Sequence, residues 1–163
     1  MNISELNKLL QRLSAYAVPP FDANGLTSTR LKDGNLLNIY AAEESLMLFM
    51  QVEVLGEAGD AHPEIFRELL HSNIVGGRFG NLRIVYDNES TAIWICHDVL
   101  FETINGDSFI TEVDNFIKNA PLLINVLRED IISAYLEVSD NSTATSKKTV
   151  ERSSVNINNF LSV

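Results

Sequence analysis

The sequence predicts an α+β fold with elements in the order α-β-β-β-α-β-β-α. Three segments carry apolar residues every three or four positions, as amphipathic helices do, and five shorter runs between turn residues have the apolar patterns of strands. The clearest strand pattern lies at Leu46 to Leu55, where one set of alternate residues is apolar and the other set is largely apolar too. A strand that is apolar on both faces leaves surface for a partner after one face is covered.

The first helix is predicted over residues 3 to about 17. Asn2 and Glu5 have the spacing of a capping box, in which each side chain accepts a hydrogen bond from the backbone amide of the other residue. Pro19 and Pro20 end the helix, because proline removes a backbone donor and restricts the residue before it. The apolar face of this helix comprises Ile3, Leu6, Leu9, Leu10, Leu13 and Ala17.

Three strands are predicted next, at Leu26 to Leu31, Asn35 to Ala41 and Ser45 to Leu55. The connections between them are only three residues long, which implies an antiparallel meander. After a loop over residues 56–63, a second helix is predicted from Pro63 to Asn73, because proline suits the first turn of a helix. A glycine-rich turn at residues 76–80 ends it.

A hairpin and a long helix complete the pattern. Leu82 to Tyr86 and Thr91 to Val99 flank a polar turn, and Asn105 to Ser108 offer N-cap chemistry for the last helix. Because Pro121 interrupts its apolar pattern, we expect one kinked helix or two consecutive ones.

The composition predicts one domain over residues 1–138 and a polar, mobile tail over residues 139–163. The chain has 163 residues, 45% of them hydrophobic, which is enough for one buried core. Of the last 25 residues, 13 are Ser, Thr or Asn, so little apolar burial offsets the entropy of ordering them. We expect the fold not to need this tail, although Val155, Ile157, Phe160 and Leu161 could dock.

Charge and targeting signals restrict the classes of partner. A formal charge of −10 repels phosphate backbones and anionic membranes, so we expect no nucleic-acid or membrane partner. No segment resembles a signal peptide or a membrane span, which favours the cytoplasm. The single Cys96 fits a reducing compartment and is interpreted as an inert buried thiol.

The sequence contains no catalytic, cofactor-binding or metal-binding pattern. His62, His71 and His97 do not have the spacing of zinc ligands. Cys96 and His97 are strand neighbours and should point to opposite faces, so they do not form a nucleophile and base. A binding protein is therefore favoured, and two other classes stay open: an acidic antitoxin or immunity-type inhibitor that binds a folded toxin, and a small enzyme assembled from distant residues such as His97, Asp98 and Ser108.

This order of elements resembles the class I type III secretion chaperones of the Tir-chaperone family. The resemblance covers about residues 3 to 136 and depends on the leading leucine helix, the three-strand meander, the helix from Pro63 followed by a glycine-rich turn, and the hairpin before the last helix. It implies a twisted antiparallel sheet packed by helices, a homodimer, and a protein that binds the N-terminal segment of a secreted effector in extended form in the bacterial cytoplasm. No cofactor and no turnover are expected.

The resemblance also implies two sets of surface residues, each of which could instead belong to the core. The predicted effector-binding residues are Leu10, Leu13, Leu31, Leu37, Ile39 and Phe49. The predicted dimer-interface residues are Ile65, Phe66, Leu69, Leu70, Ile93 and Ile95.

Overall fold

A computed structural model describes residues 2–13, 15–56, 63–73 and 80–148. The loop predicted over residues 56–63, the glycine-rich turn and the end of the predicted tail lie largely outside these residues. Within these residues, three helices and five strands follow one another in the predicted order α-β-β-β-α-β-β-α. They are α1 (Ile3–Arg12), β1 (Leu26–Arg30), β2 (Leu36–Ala41), β3 (Ser45–Val54), α2 (Pro63–Ser72), β4 (Arg83–Asp87), β5 (Ala92–Leu100) and α3 (Gly106–Lys148).

The five strands form one antiparallel sheet in the order β1-β2-β3-β5-β4. The predicted meander and the predicted hairpin are both present, and β3 joins them by pairing with β5. The register places Ile39 beside Leu48 and Met50 beside Ile95. These side chains are fully buried, so one face of the sheet forms the floor of the core.

The helices cover that same face of the sheet. Phe109, Val113, Ile124 and Leu127 of α3 are fully buried in one cluster with the inward side chains of β3 and β5. A single helix runs through Pro121, so the alternative of two consecutive helices is wrong. The helix also continues to Lys148, ten residues beyond the point where the composition becomes polar.

Helix α1 ends earlier than predicted, at Arg12 instead of about residue 17. Its predicted N-terminal cap is confirmed, because Asn2 Oδ1 accepts from the Glu5 amide and Glu5 Oε2 accepts from the Asn2 amide. At the other end, Leu13 leaves helical geometry and Ala17 takes a left-handed conformation with φ of 48°. The chain therefore turns toward β1 before the prolines are reached.

Polar contacts attach α1 and the following turn to α3. Arg12 Nη2 lies 2.7 Å from Asp107 Oδ1, and a Cβ atom added to Gly106 would be 1.6 Å from the Arg12 guanidinium. Tyr16 Oη donates to Asp114 Oδ1 at 2.8 Å, a bond that raises the pKa of the tyrosine. The start of α3 is thus held against the first helix by side chains about a hundred residues apart in the chain.

We predict that the burial of α3 dominates the stability of the domain. Leu127→Ala should cost about 3 kcal/mol of unfolding free energy, because Leu127 is 0% exposed and its removal leaves a cavity. Leu122→Ala is the matched control on the same helix, since Leu122 is 65% exposed, and should cost less than about 0.5 kcal/mol. Urea denaturation of both variants measures the difference; equal losses would contradict this packing.

Candidate partner-binding surfaces

The sheet face opposite the helices carries large apolar side chains that no described element buries completely. We call this surface the open face. Its apolar members alternate with the core residues of the same strands, as the register requires. Leu36, Tyr40 and Leu100 are exposed, whereas Met47, Phe49 and Trp94 are half-buried.

Side-chain contacts organise the centre of the open face. The rings of Phe49 and Trp94 meet edge to face, with centroids 5.5 Å apart. Beside them, Ser28 Oγ donates to Asn38 Oδ1 at 2.7 Å, and Arg83 pairs with Asp98. The apolar surface is therefore preformed and bordered by satisfied polar groups, which is how a binding site is typically built.

Cys96 lies on this face but is 4% exposed. Burial raises the pKa of the Cys96 thiol to about 11, although the nearby Arg83 guanidinium acts in the opposite direction. Since the thiolate is the reactive form, the thiol is unreactive near neutral pH. Because the folded pKa lies above the ordinary value of 9.0, the contribution of this group to stability is complete below pH 9 and is lost as the pH rises through about 11.

The predicted effector-binding residues lie mostly inside the domain. Five of the six are at most 9% exposed and belong to the core cluster, namely Leu10, Leu13, Leu31, Leu37 and Ile39. The sixth, Phe49, lies on the open face. A role for the five in effector binding stays a prediction that would require the domain to open. A charged substitution at Leu13 or Leu31 would unfold the domain instead of testing a surface.

The predicted dimer-interface residues also divide between core and surface. Ile65, Leu69, Ile93 and Ile95 are at most 5% exposed and pack within one chain. Phe66 is half-buried, with its ring 4.8 Å from that of Tyr86, and Leu70 is 70% exposed. Within the predicted set, Leu70 therefore offers the largest accessible side chain.

The residues considered for a small enzyme do not form a site. His97 faces α3, where its Nε2 lies 2.9 Å from Glu112 Oε2, whereas Asp98 lies on the open face with Arg83. Ser108 is used in the cap of α3, where its Oγ accepts from the Asn105 amide at 2.8 Å. Each of the three side chains thus has a different partner.

A cavity of about 530 Å³ lies beside the His97–Glu112 pair. Asn81, Asn115 and Asn119 contribute amides to its lining, and Phe116 contributes an aromatic wall. Its described lining has no Ser, Thr, Cys or Lys to act as a nucleophile. Across the described ranges, no group of three or more His, Cys, Asp and Glu side chains is arranged to hold a metal ion.

The family model of the Tir chaperone protein (CesT) family matches residues 5–123 of the chain. The chain belongs to this family. The predicted resemblance is therefore confirmed, and membership identifies a class I type III secretion chaperone. Effector binding is accordingly favoured over toxin inhibition and over catalysis. No curated protein matches the chain in sequence.

Solved structures show the same fold at low sequence identity. A chain of the ExsC–ExsE complex has 16% identity and a TM-score of 0.53, and the match covers 77% of this chain and 95% of that one. A chain of the HopA1–SchA chaperone–effector complex has 14% identity and a TM-score of 0.53, and the match covers 79% of this chain and 98% of that one. A third match is a chain of the heterodimeric ExoU–SpcU complex from the type III secretion system of Pseudomonas aeruginosa. It has 10% identity and a TM-score of 0.53, and the match covers 74% of this chain and 95% of that one. As for membranes, no helix in the described part of this chaperone is both long and apolar enough to span one.

Sequence reasoning missed most of the open face. On β2 the sequence analysis predicts Leu37 and Ile39 as binding residues, whereas the side chains exposed on the open face are Leu36 and Tyr40. The alternation separates these two sets without saying which set faces the helices. The signal that could have found the open face was the second apolar set of β3, which includes Met47 and Phe49.

We predict that Cys96 resists alkylation in the folded chaperone. At pH 8 a pKa of about 11 leaves roughly 100-fold less thiolate than the ordinary value, and burial adds a steric barrier. Iodoacetamide labelling followed by mass spectrometry should be slow in buffer and fast in urea. L100C adds a thiol at an exposed position of the same strand and serves as the positive control. Equal labelling rates at positions 96 and 100 in the folded protein would contradict the assignment.

Proposed function

We propose that this chaperone holds an N-terminal segment of a secreted effector in extended form on its open face, in the bacterial cytoplasm and without turnover. The carrying observation is the uncovered apolar surface around Leu36, Tyr40, Met47 and Phe49. Such a surface supplies the apolar contact that an unfolded segment needs to offset its loss of entropy on binding. The complexes named above support this proposal, because one is a chaperone–effector complex by name.

An extended ligand can also add backbone hydrogen bonds. Strand β1 lies at one edge of the sheet and pairs only with β2 among the described residues. Asp22 already bonds to the backbone amide and carbonyl of Leu26. The outer backbone groups farther along β1 can accept another strand, next to the exposed side chain of Leu36. Apolar contact on the face and strand pairing at the edge together favour an extended segment over a folded toxin.

We also propose that the chaperone is a homodimer, with an interface that includes Phe66 and Leu70 of α2. Leu70 is 70% exposed, whereas Ile65 and Leu69 of the same helix are buried in the core. A stable interface buries about 1,000 Å² or more, so neighbouring surface must contribute as well. Strand β4 is the other edge of the sheet. The side chain of Asn73, the residue after α2, holds it in place by donating to the Ile84 carbonyl and accepting from the Ile84 amide.

We predict that Leu36→Glu weakens effector binding at least ~10-fold, because a carboxylate would be placed in an apolar contact. Isothermal titration with an N-terminal fragment of the effector measures the affinity. Binding to the unmodified chaperone should show a negative heat-capacity change, as burial of apolar surface requires.

Leu122→Glu is the matched control for Leu36→Glu. It makes the same chemical change at an exposed position of α3, away from the sheet face, and should leave the affinity within about twofold. Equal losses in both variants would remove the open face as the binding site. If the chaperone retained only a folded C-terminal effector fragment, or none, the proposed function would fail and the antitoxin alternative would take its place.

We predict that Leu70→Asp converts the dimer to a monomer of 18.2 kDa without unfolding it. Leu69→Asp is the contrasting variant, because Leu69 is 5% exposed and an aspartate there would disrupt the fold. Light scattering reports the mass and circular dichroism reports the fold. A mass of 18.2 kDa for the unmodified protein at micromolar concentration would contradict the dimer, and a dimeric Leu70→Asp variant would exclude this part of α2 from the interface.

A further inference from the structure

An apolar depression lies where β3 ends, beside α2 and α3. We call it the C-terminal groove. Its volume is about 290 Å³. Its lining residues are Glu53, Val54, Leu55, Ile65, Ile131, Ile132 and Leu136.

The groove has a buried floor and an exposed apolar rim. Leu55, Ile65 and Ile131 form the floor and are at most 8% exposed. The rim comprises Val54, Ile132 and Leu136, each of which is half or more exposed. Among the described lining residues, Glu53 is the only charged one, and its carboxylate is 3.7 Å from the Arg128 guanidinium. An occupant should therefore be apolar and uncharged, since no unpaired charge in the lining would attract an ion.

We propose that residues 155–161 of the same chain occupy the C-terminal groove. This segment lies outside the described residues, and its sequence is Val-Asn-Ile-Asn-Asn-Phe-Leu. It contains four large apolar side chains and no charged one, which matches the lining of the groove. By contrast, residues 139–148 contain no large apolar side chain. Apolar character thus returns only after a polar spacer.

The spacer has the length that this arrangement requires. Helix α3 continues for 12 residues from Leu136 to Lys148, a distance of about 18 Å at 1.5 Å per residue. Residues 149–156 can span about 26 Å when extended, at roughly 3.3 Å per residue. The chain can therefore reverse direction after Lys148 and bring Ile157 and Phe160 back to the groove.

Attachment to the same chain favours this occupant over an external one. A flexible connection of this length holds the segment at an effective concentration of the order of millimolar. Intramolecular docking would also cover the exposed rim, which would otherwise be a site for association. Because the residues named for the groove differ from those named for effector binding on the open face, this proposal does not depend on effector binding.

Cysteine cross-linking in the full chain tests the proposal. Leu136→Cys combined with Phe160→Cys should form an intramolecular disulfide under mild oxidation. Leu122→Cys combined with Phe160→Cys is the matched control, since position 122 is exposed on the same helix but about 21 Å away along its axis. The native Cys96 is buried and contributes little background. Non-reducing electrophoresis should show at least ~10-fold faster closure for the 136–160 pair.

Two outcomes of this experiment would overturn the proposal. Equal rates for the two pairs would show that the segment has no preference for the groove. A disulfide formed between two chains would assign the groove to a second copy instead.

Hydrogen exchange gives an independent measurement. In the unmodified chain, amides of residues 155–161 should exchange at least ~10-fold more slowly than in the variant Ile132→Asp with Leu136→Asp, which places two charges on the rim. Leu122→Asp should leave the protection unchanged. Circular dichroism of all three proteins verifies the fold. Exchange of these amides at unprotected rates in the unmodified chain would contradict the proposal.

Discussion

The packing of β3 against the last helix is the contact on which the rest of this structure depends. Leu46, Leu48, Met50 and Val52 are all fully buried, and they meet the equally buried inner side of α3. Strand β3 is also the centre of the sheet, so its orientation decides which residues of β2 and β5 face inward. A shift of one residue would exchange every inward and outward side chain.

Covering the sheet from one side has a functional consequence. The second apolar set of β3 and its partners on β2 and β5 cannot enter the same core, so they form the open face. A domain of this size that leaves such a face uncovered is suited to binding a partner, in agreement with its membership of the Tir chaperone family. The C-terminal groove lies farther along α3, where Ile132 and Leu136 are apolar and exposed.

Local chemistry was the most predictable part of the chain. The cap at Asn2, the start of α2 at Pro63 and the cap at Asn105 all depend on neighbours within four residues, and each is present. The end of α1 was predicted too late, because the burial of Leu13 and the turn at Ala17 depend on the contact with α3 and not on the prolines. The passage of α3 through Pro121 likewise depends on the apolar contacts made on both sides of that residue.

The sequence by itself determined the order of the elements, their antiparallel connections and the two apolar sets of each strand, because these follow from spacing and turn residues. Only the tertiary structure decided which set is buried. Leu37 and Leu36 are adjacent and chemically identical, yet the first is in the core and the second is on the open face. The same holds for Leu69 and Leu70. Periodicity defines faces relative to one another, whereas the face that is covered depends on helices far away in the chain.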